Sequence, residues 1–218
     1  MMKGFSYKHN KLYCERVSLE SVCKNISTPF YLYSSKGILD NFSSLSSKLK
    51  DCNVLIAYAV KANSNISILR LLAKKGAGAD VVSYGELSRA IKSGIPGNKI
   101  VFSGVGKTDL EISKAIDHKI LQFNVESPEE LLTIEKIARE KKSKANISIR
   151  INPDIKAGGH PKISTGKKTD KFGISADDAL KVYKEALNFS WLNIVGVDMH
   201  IGSQILKIKP FEKSFKKI

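Results

Sequence analysis

The run Val54-Leu-Ile-Ala-Tyr-Ala-Val-Lys-Ala-Asn-Ser64 decides the fold of this 218-residue chain. Val54 to Val60 is apolar without alternation, as a parallel strand buried on both faces requires. A dinucleotide-binding sheet follows its first strand with GxGxxG. Here the strand runs into Lys61-Ala62-Asn63-Ser64, and Gly76-Ala77-Gly78 precedes a strand instead of opening a helix. That excludes the nucleotide fold and leaves a (β/α)8 barrel as the expected architecture.

The same rhythm spreads outward. Upstream, Ser34 or Ser35 caps a helix striped by Ile38, Phe42, Leu45 and Leu49. Downstream, Ile66, Leu69, Leu72 and Ala73 form a helix that Gly76 ends. Strands follow at Ala79–Val82, Ile100–Ser103, Leu121–Val125, Ile147–Ile151 and Ile194–Ile201. Helices lie between them. One spans Gly85–Ser93, another opens on a Thr108/Glu111 capping box, a third on a Ser127/Glu130 box with Pro128 at its first position, and a fourth on Ser175 with Asp178. Six strands with five helices between them read as successive βαβ units. A barrel needs eight strands and about 250 residues, so this one is expected to be incomplete, with about six of its eight βα units. Leu12–Val17 and Pro29–Tyr33 read as strands outside the alternation. Residues 1–34 are therefore expected to belong to a second, β domain, and residues 35–218 to the barrel. Asn152–Gly173 is a long loop of the kind that covers functional sites.

Composition closes other routes. The net charge is +15, but 31 of the 36 basic residues are Lys and five are Arg. Base readout and phosphate clamps favour Arg, and the Lys residues are scattered, so nucleic-acid binding is not expected. No apolar run reaches the length of a membrane span, and Met1–Asn10 lacks the apolar core of a signal peptide. Cys14, Cys23 and Cys52 have neither zinc spacing nor an even count, so no metal site and a reducing cytoplasm are expected.

The chemistry of a parallel barrel sits at the C-terminal ends of its strands. Lys61 ends an apolar strand there, partly desolvated, which suits an amine that condenses with an aldehyde. A lysine that simply snorkels at a strand end is the competing reading. His200 closes the sixth strand, followed by Gly202 and Ser203. Its ring can lie on an aromatic face or simply pack in the core, and the Ser203 hydroxyl can reach a phosphate. Arg150, between Ile149 and Ile151, is a charge on a buried strand and requires an anionic partner. Together these groups point to a phosphorylated, aldehyde-bearing cofactor, pyridoxal 5′-phosphate.

Eight segments then carry a specific resemblance. They are Tyr58-Ala-Val-Lys-Ala-Asn63, Gly78-Ala-Asp-Val-Val-Ser83, Phe102-Ser-Gly-Val-Gly-Lys107, Phe123-Asn-Val-Glu-Ser127, Arg150-Ile-Asn-Pro-Asp154, His160-Pro-Lys-Ile-Ser-Thr-Gly166, Lys171-Phe-Gly-Ile174 and His200-Ile-Gly-Ser-Gln204. In this order they resemble diaminopimelate decarboxylase, a fold-type III pyridoxal phosphate enzyme with an alanine-racemase-like barrel. The match covers about residues 12–206 and corresponds to the family's N-terminal portion. The resemblance implies decarboxylation of meso-2,6-diaminopimelate to L-lysine by a cytoplasmic homodimer. It implies that Lys61 holds the cofactor covalently and later transfers a proton. His200 stacks on the pyridine face, Ser203 binds the phosphate, Arg150 lies near the phenolic oxygen and Asp80 near the Schiff base. The segment from His160 to Lys171 covers the site.

The chain departs from the family pattern at Tyr84, where glycine is usual, and at Asp198 and Met199, where His and Cys are frequent. The glycine-rich phosphate loop, the glutamate for the pyridine nitrogen, and the cysteine and tyrosine of the partner's site all come later in that family and are absent here. The 218 residues alone are thus expected to show little or no activity. A non-catalytic, single-barrel pyridoxal phosphate homeostasis protein is the alternative; it matches the length but not the His160–Gly166 block.

Overall fold

A computed structural model describes residues 3–155 and 172–217. The chain opens with a small antiparallel sheet, β1 (Phe5–Lys8), β2 (Lys11–Cys14) and β3 (Val17–Ser18), followed by α1 (Leu19–Cys23). Helix α2 (Ser35–Lys48) starts where expected, with the Ser34 hydroxyl accepting from the Gly37 N–H. Glu15 ties the small sheet to that helix. Its carboxylate accepts from Ser34 Oγ, Ser35 Oγ and the Lys36 N–H, at 2.9, 3.0 and 2.9 Å. These bonds, the Lys36 N–H first, hold it below the usual carboxylate value, as expected of an anion at a helix N-terminus.

The rest is a parallel sheet flanked by helices. Its strands are β4 (Ala57–Ala59), β5 (Gly78–Val81), β6 (Ile100–Phe102), β7 (Gln122–Val125), β8 (Ala145–Asn152) and, after the short β9 (Ile174–Ser175), β10 (Leu192–Asp198). All are paired in parallel, with β9 beside the end of β8. Across the sheet the order is β4-β5-β6-β7-β8-β10. A doubly wound sheet reverses its order at a switch point; this one runs in sequence order throughout, as the arc of a barrel does. The intervening helices are α3 (Ile66–Ala73), α4 (Tyr84–Lys92), α5 (Asp109–Asp117), α6 (Pro128–Glu140) and α7 (Ala176–Ala186), and α8 (Lys209–Phe215) comes last.

Side-chain caps start each of the five intervening helices, from Asn65, Ser83, Thr108, Ser127 and Ser175. Each contributes about 1 kcal/mol. The Thr108/Glu111 box is reciprocal. At α6 only half of the expected box forms. Ser127 Oγ accepts from the Glu130 N–H, but the Glu130 carboxylate turns to Lys107 and the Glu126 N–H.

Between sheet and helices lies the core. Ala79 and Val81, Ile100 and Phe102, Phe123 and Val125, and Ile147 and Ile149 pack against Leu87, Ile112, Leu131 and Ile134. Phe102 and Phe123 stack with ring centroids 6.1 Å apart. These strand residues alternate with Asp80, Val101, Asn124, Ser148 and Arg150, so the strands are two-faced and not uniformly apolar.

Four strand expectations change. Leu12–Val17 is not one strand, because the chain turns at Glu15–Arg16 between β2 and β3. The 54–60 run forms only the three-residue β4, and Val54 is exposed. As the edge strand it has one neighbour, so nothing extends its pairing. Pro29–Tyr33 forms no strand, and Tyr31 is 89% exposed. The last strand ends at Asp198, not at residue 201. As the other edge, β10 leaves Val195 and Val197 exposed. Of the long loop after Asn152, the block from His160 to Lys171 lies outside the described residues. Among the described residues no helix is long and apolar enough to cross a membrane.

Candidate active site

The C-terminal ends of the strands surround an open cavity of about 560 Å³. Lys61, Asp80, Ser103, Arg150, Asp198 and His200 line it, with Met199 and Phe172 at its rim. Four of the five site residues expected from the sequence therefore meet here. Ser203 does not: it is exposed in the turn after Gly202 and outside the lining.

Lys61 stands on a single 3-10 turn, Val60–Ala62, that follows β4. Val60 is fully buried and anchors the turn, while Lys61 is exposed. Among the described residues, the desolvation expected from its apolar strand is not seen.

A polar ladder crosses the inner face of the sheet. Ser103 Oγ donates to Asp80 Oδ1 at 2.6 Å and accepts from Asn124 Nδ2 at 3.1 Å, and Gln122 Nε2 donates to Asn124 Oδ1 at 2.8 Å. Three consecutive strands thus hold Asp80 in place from one side.

Arg150 has the anionic partner that its burial requires. Its Nη1 donates to Glu126 Oε1 at 2.5 Å, and its Nε lies 3.9 Å from Asp198 Oδ2, the residue in register with it on β10. Its guanidinium carbon lies 5.4 Å from the centroid of the Phe172 ring, within cation–π range. Glu126 is itself 2% exposed and satisfied by two further donors. The Gly104 N–H reaches Oε1 and the Gly173 N–H reaches Oε2, both at 3.1 Å. Gly173 has φ +78, and a Cβ there would lie 3.1 Å from the Arg150 carbonyl oxygen. That close approach and the left-handed backbone both favour glycine.

Sequence reasoning asked for a partner to Arg150 but did not name Glu126. The signal was available: Glu126 directly follows the buried residues Phe123–Val125, where a carboxylate is as costly as the arginine. Asp198, noted only as a departure from a family pattern, proves to be a cavity residue. Burial pushes its carboxyl up to about 6, with Glu126 and Asp80 adding to the effect and Arg150 opposing it. Burial, then Arg150 and Lys61, hold the His200 imidazole below its usual value, which favours the neutral ring. The departure at Tyr84 fits the fold, since it opens α4 and its N–H donates to Glu111 Oε1 at 2.9 Å.

This donor set fits an anionic, aromatic aldehyde. It holds one accessible primary amine, one neutral imidazole, one guanidinium fixed from below, and carboxylates to orient cationic groups.

Comparison with known proteins agrees. The family model "Pyridoxal-dependent decarboxylase, pyridoxal binding domain" matches residues 36–218. A diaminopimelate decarboxylase of Aquifex aeolicus is 45% identical over 212 residues, covering 97% of this chain and 50% of that protein. The crystal structure of diaminopimelate decarboxylase from Helicobacter pylori complexed with L-lysine superposes with a TM-score of 0.89 at 48% identity, covering 91% of this chain and 50% of that one. The enzyme from M. jannaschii, also in complex with L-lysine, gives a TM-score of 0.91 at 40% identity over 100% of this chain and 52% of that one. The chain spans about half the length of the curated relatives it matches.

Proposed function

This chain belongs to the pyridoxal-dependent decarboxylase family, as an N-terminal portion that carries the pyridoxal-binding domain, and on that premise we propose that its protein decarboxylates meso-2,6-diaminopimelate to L-lysine. The observation that carries the reading is the convergence of Lys61, Asp80, Arg150 and His200 on one cavity at the strand ends. The relatives that match over nearly the whole chain bear the decarboxylase name, which disfavours the single-barrel homeostasis protein.

Pyridoxal 5′-phosphate supplies an electron sink for the charge left when carbon dioxide departs. The chain's residues bind and orient. The Lys61 amine would hold the aldehyde carbon and, when the substrate amine takes its place there, would be free to carry a proton at Nζ. The His200 imidazole offers a flat face to the ring. Arg150, held by Glu126, would lie near the ring's phenolic oxygen, and Asp80, held by Ser103, near the nitrogen that joins Lys61 to the cofactor. Ser203 is assigned to the phosphate. Residues 1–34 are assigned to a second, β domain and residues 35–218 to the barrel, in a cytoplasmic homodimer of the full-length protein.

The test begins with pyridoxal phosphate and the purified chain. An absorbance band from covalently held cofactor is expected, and Lys61→Ala should abolish it without changing the thermal midpoint, because Lys61 is exposed. A band that survives Lys61→Ala would overturn the assignment of the amine. With meso-diaminopimelate, the 218 residues alone are expected to release little or no lysine, since half of the relatives' length is not represented.

A further inference from the structure

Outside the cavity, the described residues hold a buried cation that the proposed function does not use. Lys107 is 1% exposed at its side chain, an expensive place for an ammonium. All three of its donor sites are engaged. Nζ reaches the Gly104 carbonyl oxygen at 2.6 Å, the Asn124 carbonyl oxygen at 2.9 Å and Glu130 Oε1 at 2.5 Å, and it lies 5.8 Å from the Phe102 ring centroid. Neither Lys107 nor Glu130 lines the cavity.

Their partners explain the arrangement. Gly104 follows β6 and Asn124 lies near the end of β7, where the parallel ladder runs out of bonds. Lys107 joins these two strand ends through their carbonyl groups. Gly104 then presents its N–H to Glu126 Oε1, while the Glu126 N–H donates to Glu130 Oε2 at 3.4 Å. The pair therefore grips Glu126 at both ends, through its own N–H and through Gly104, whose carbonyl oxygen Lys107 holds while its N–H binds the Glu126 carboxylate. Glu126 in turn fixes Arg150. Stability alone is a weak account of the pair, because replacing a buried ion pair by apolar residues is often neutral or stabilising.

We propose that Lys107, together with Glu130, is a positioning residue for Arg150, acting through Gly104 and Glu126. The inference deepens the proposed site and rests on that reading only where the cofactor is concerned.

Two variants test it, Lys107→Met with Glu130→Met, and Glu130→Gln alone. Two readouts are needed. One is solvent exchange of the Arg150 Nε–H in ¹⁵N-labelled chain, identified by its loss in Arg150→Lys. The other is the affinity for pyridoxal phosphate. The double variant should keep the wild-type thermal midpoint, exchange the Arg150 proton at least tenfold faster and bind the cofactor at least tenfold more weakly. Glu130→Gln, which keeps the side chain's shape, should speed exchange at least threefold. Wild-type exchange in both variants would overturn the inference. If the double variant does not fold, Glu130→Gln decides alone. Failure of the unaltered chain to bind pyridoxal phosphate would overturn the proposed function, while the exchange measurement would still judge Lys107.

Discussion

The two faces of the parallel sheet are made from alternate residues of the same strands, and they hold opposite chemistry. Toward the helices stand Ala79, Val81, Ile100, Phe102, Phe123, Val125, Ile147 and Ile149, dry and apolar. On the other face stand Asp80, Ser103, Asn124, Ser148, Arg150 and Asp198, joined in part by hydrogen bonds and ion pairs. The interiors of (β/α)8 barrels are commonly packed with bulky branched residues. Here the inner face is polar where the cavity opens. The fold's stability is thus concentrated on one face and its chemistry on the other, with a single layer of backbone between them.

That division is open to direct attack. Phe102→Ala removes a fully buried ring on the helix side and its stacking partner's contact, so it should cost about 3–5 kcal/mol. Urea unfolding of the variant measures this, and a loss under about 1 kcal/mol would mean that the helix-side core does not dominate stability.

Asp198→Asn probes the inner face and should act in the opposite direction. The carboxyl's folded value of about 6 stands above its ordinary 3.8. It therefore favours folding while protonated, and that contribution fades as pH rises from about 4 through about 6. A rise of that size, with Arg150's opposing pull already counted, corresponds to about 3 kcal/mol against the ionised form, which solvent screening of the 23% exposed side chain reduces. At pH 8 the Asn variant should be more stable than the wild type by about 1–2 kcal/mol, and the difference should shrink below pH 5. Thermal midpoints across that range test the sign; equal stability at pH 8 would show that the inner face carries no electrostatic cost at this position.

Ser103→Ala should have the smallest effect. It breaks the ladder at its centre, leaving Asp80 and Asn124 each short of one bond, on a face that water reaches. A loss of about 1 kcal/mol is expected in the same unfolding assay. A loss as large as that of Phe102→Ala would erase the distinction between the faces.

Much of this was readable beforehand, for local reasons. Helix starts were visible because Ser34, Thr108, Ser127 and Ser175 bond to backbone groups only a few residues away. The alternation Ile147-Ser-Ile-Arg-Ile-Asn152 also announced a two-faced strand. Only the 54–60 run was read as apolar on both faces, and it forms just the three-residue β4 with Val54 exposed. What stayed hidden was long-range. Glu130 looked like half of a capping box, and nothing in its neighbourhood indicates that a lysine 23 residues earlier captures it. Ser203 followed the histidine in sequence but not into the cavity: the chain bends at Ser203–Gln204 and leaves its side chain exposed.

The sequence by itself determined the order of strands and helices in the parallel sheet, where its helices start, and that Lys61, Asp80, Arg150 and His200 end up at one rim, because strand ends in a parallel sheet all face the same way. Only the tertiary structure decided that Glu126 receives Arg150, that Asp198 lies beside them and that Lys107 is buried beneath. Those meetings depend on the register between β7, β8 and β10 and on how tightly the strand ends pack, and these are set by contacts between residues distant in the chain.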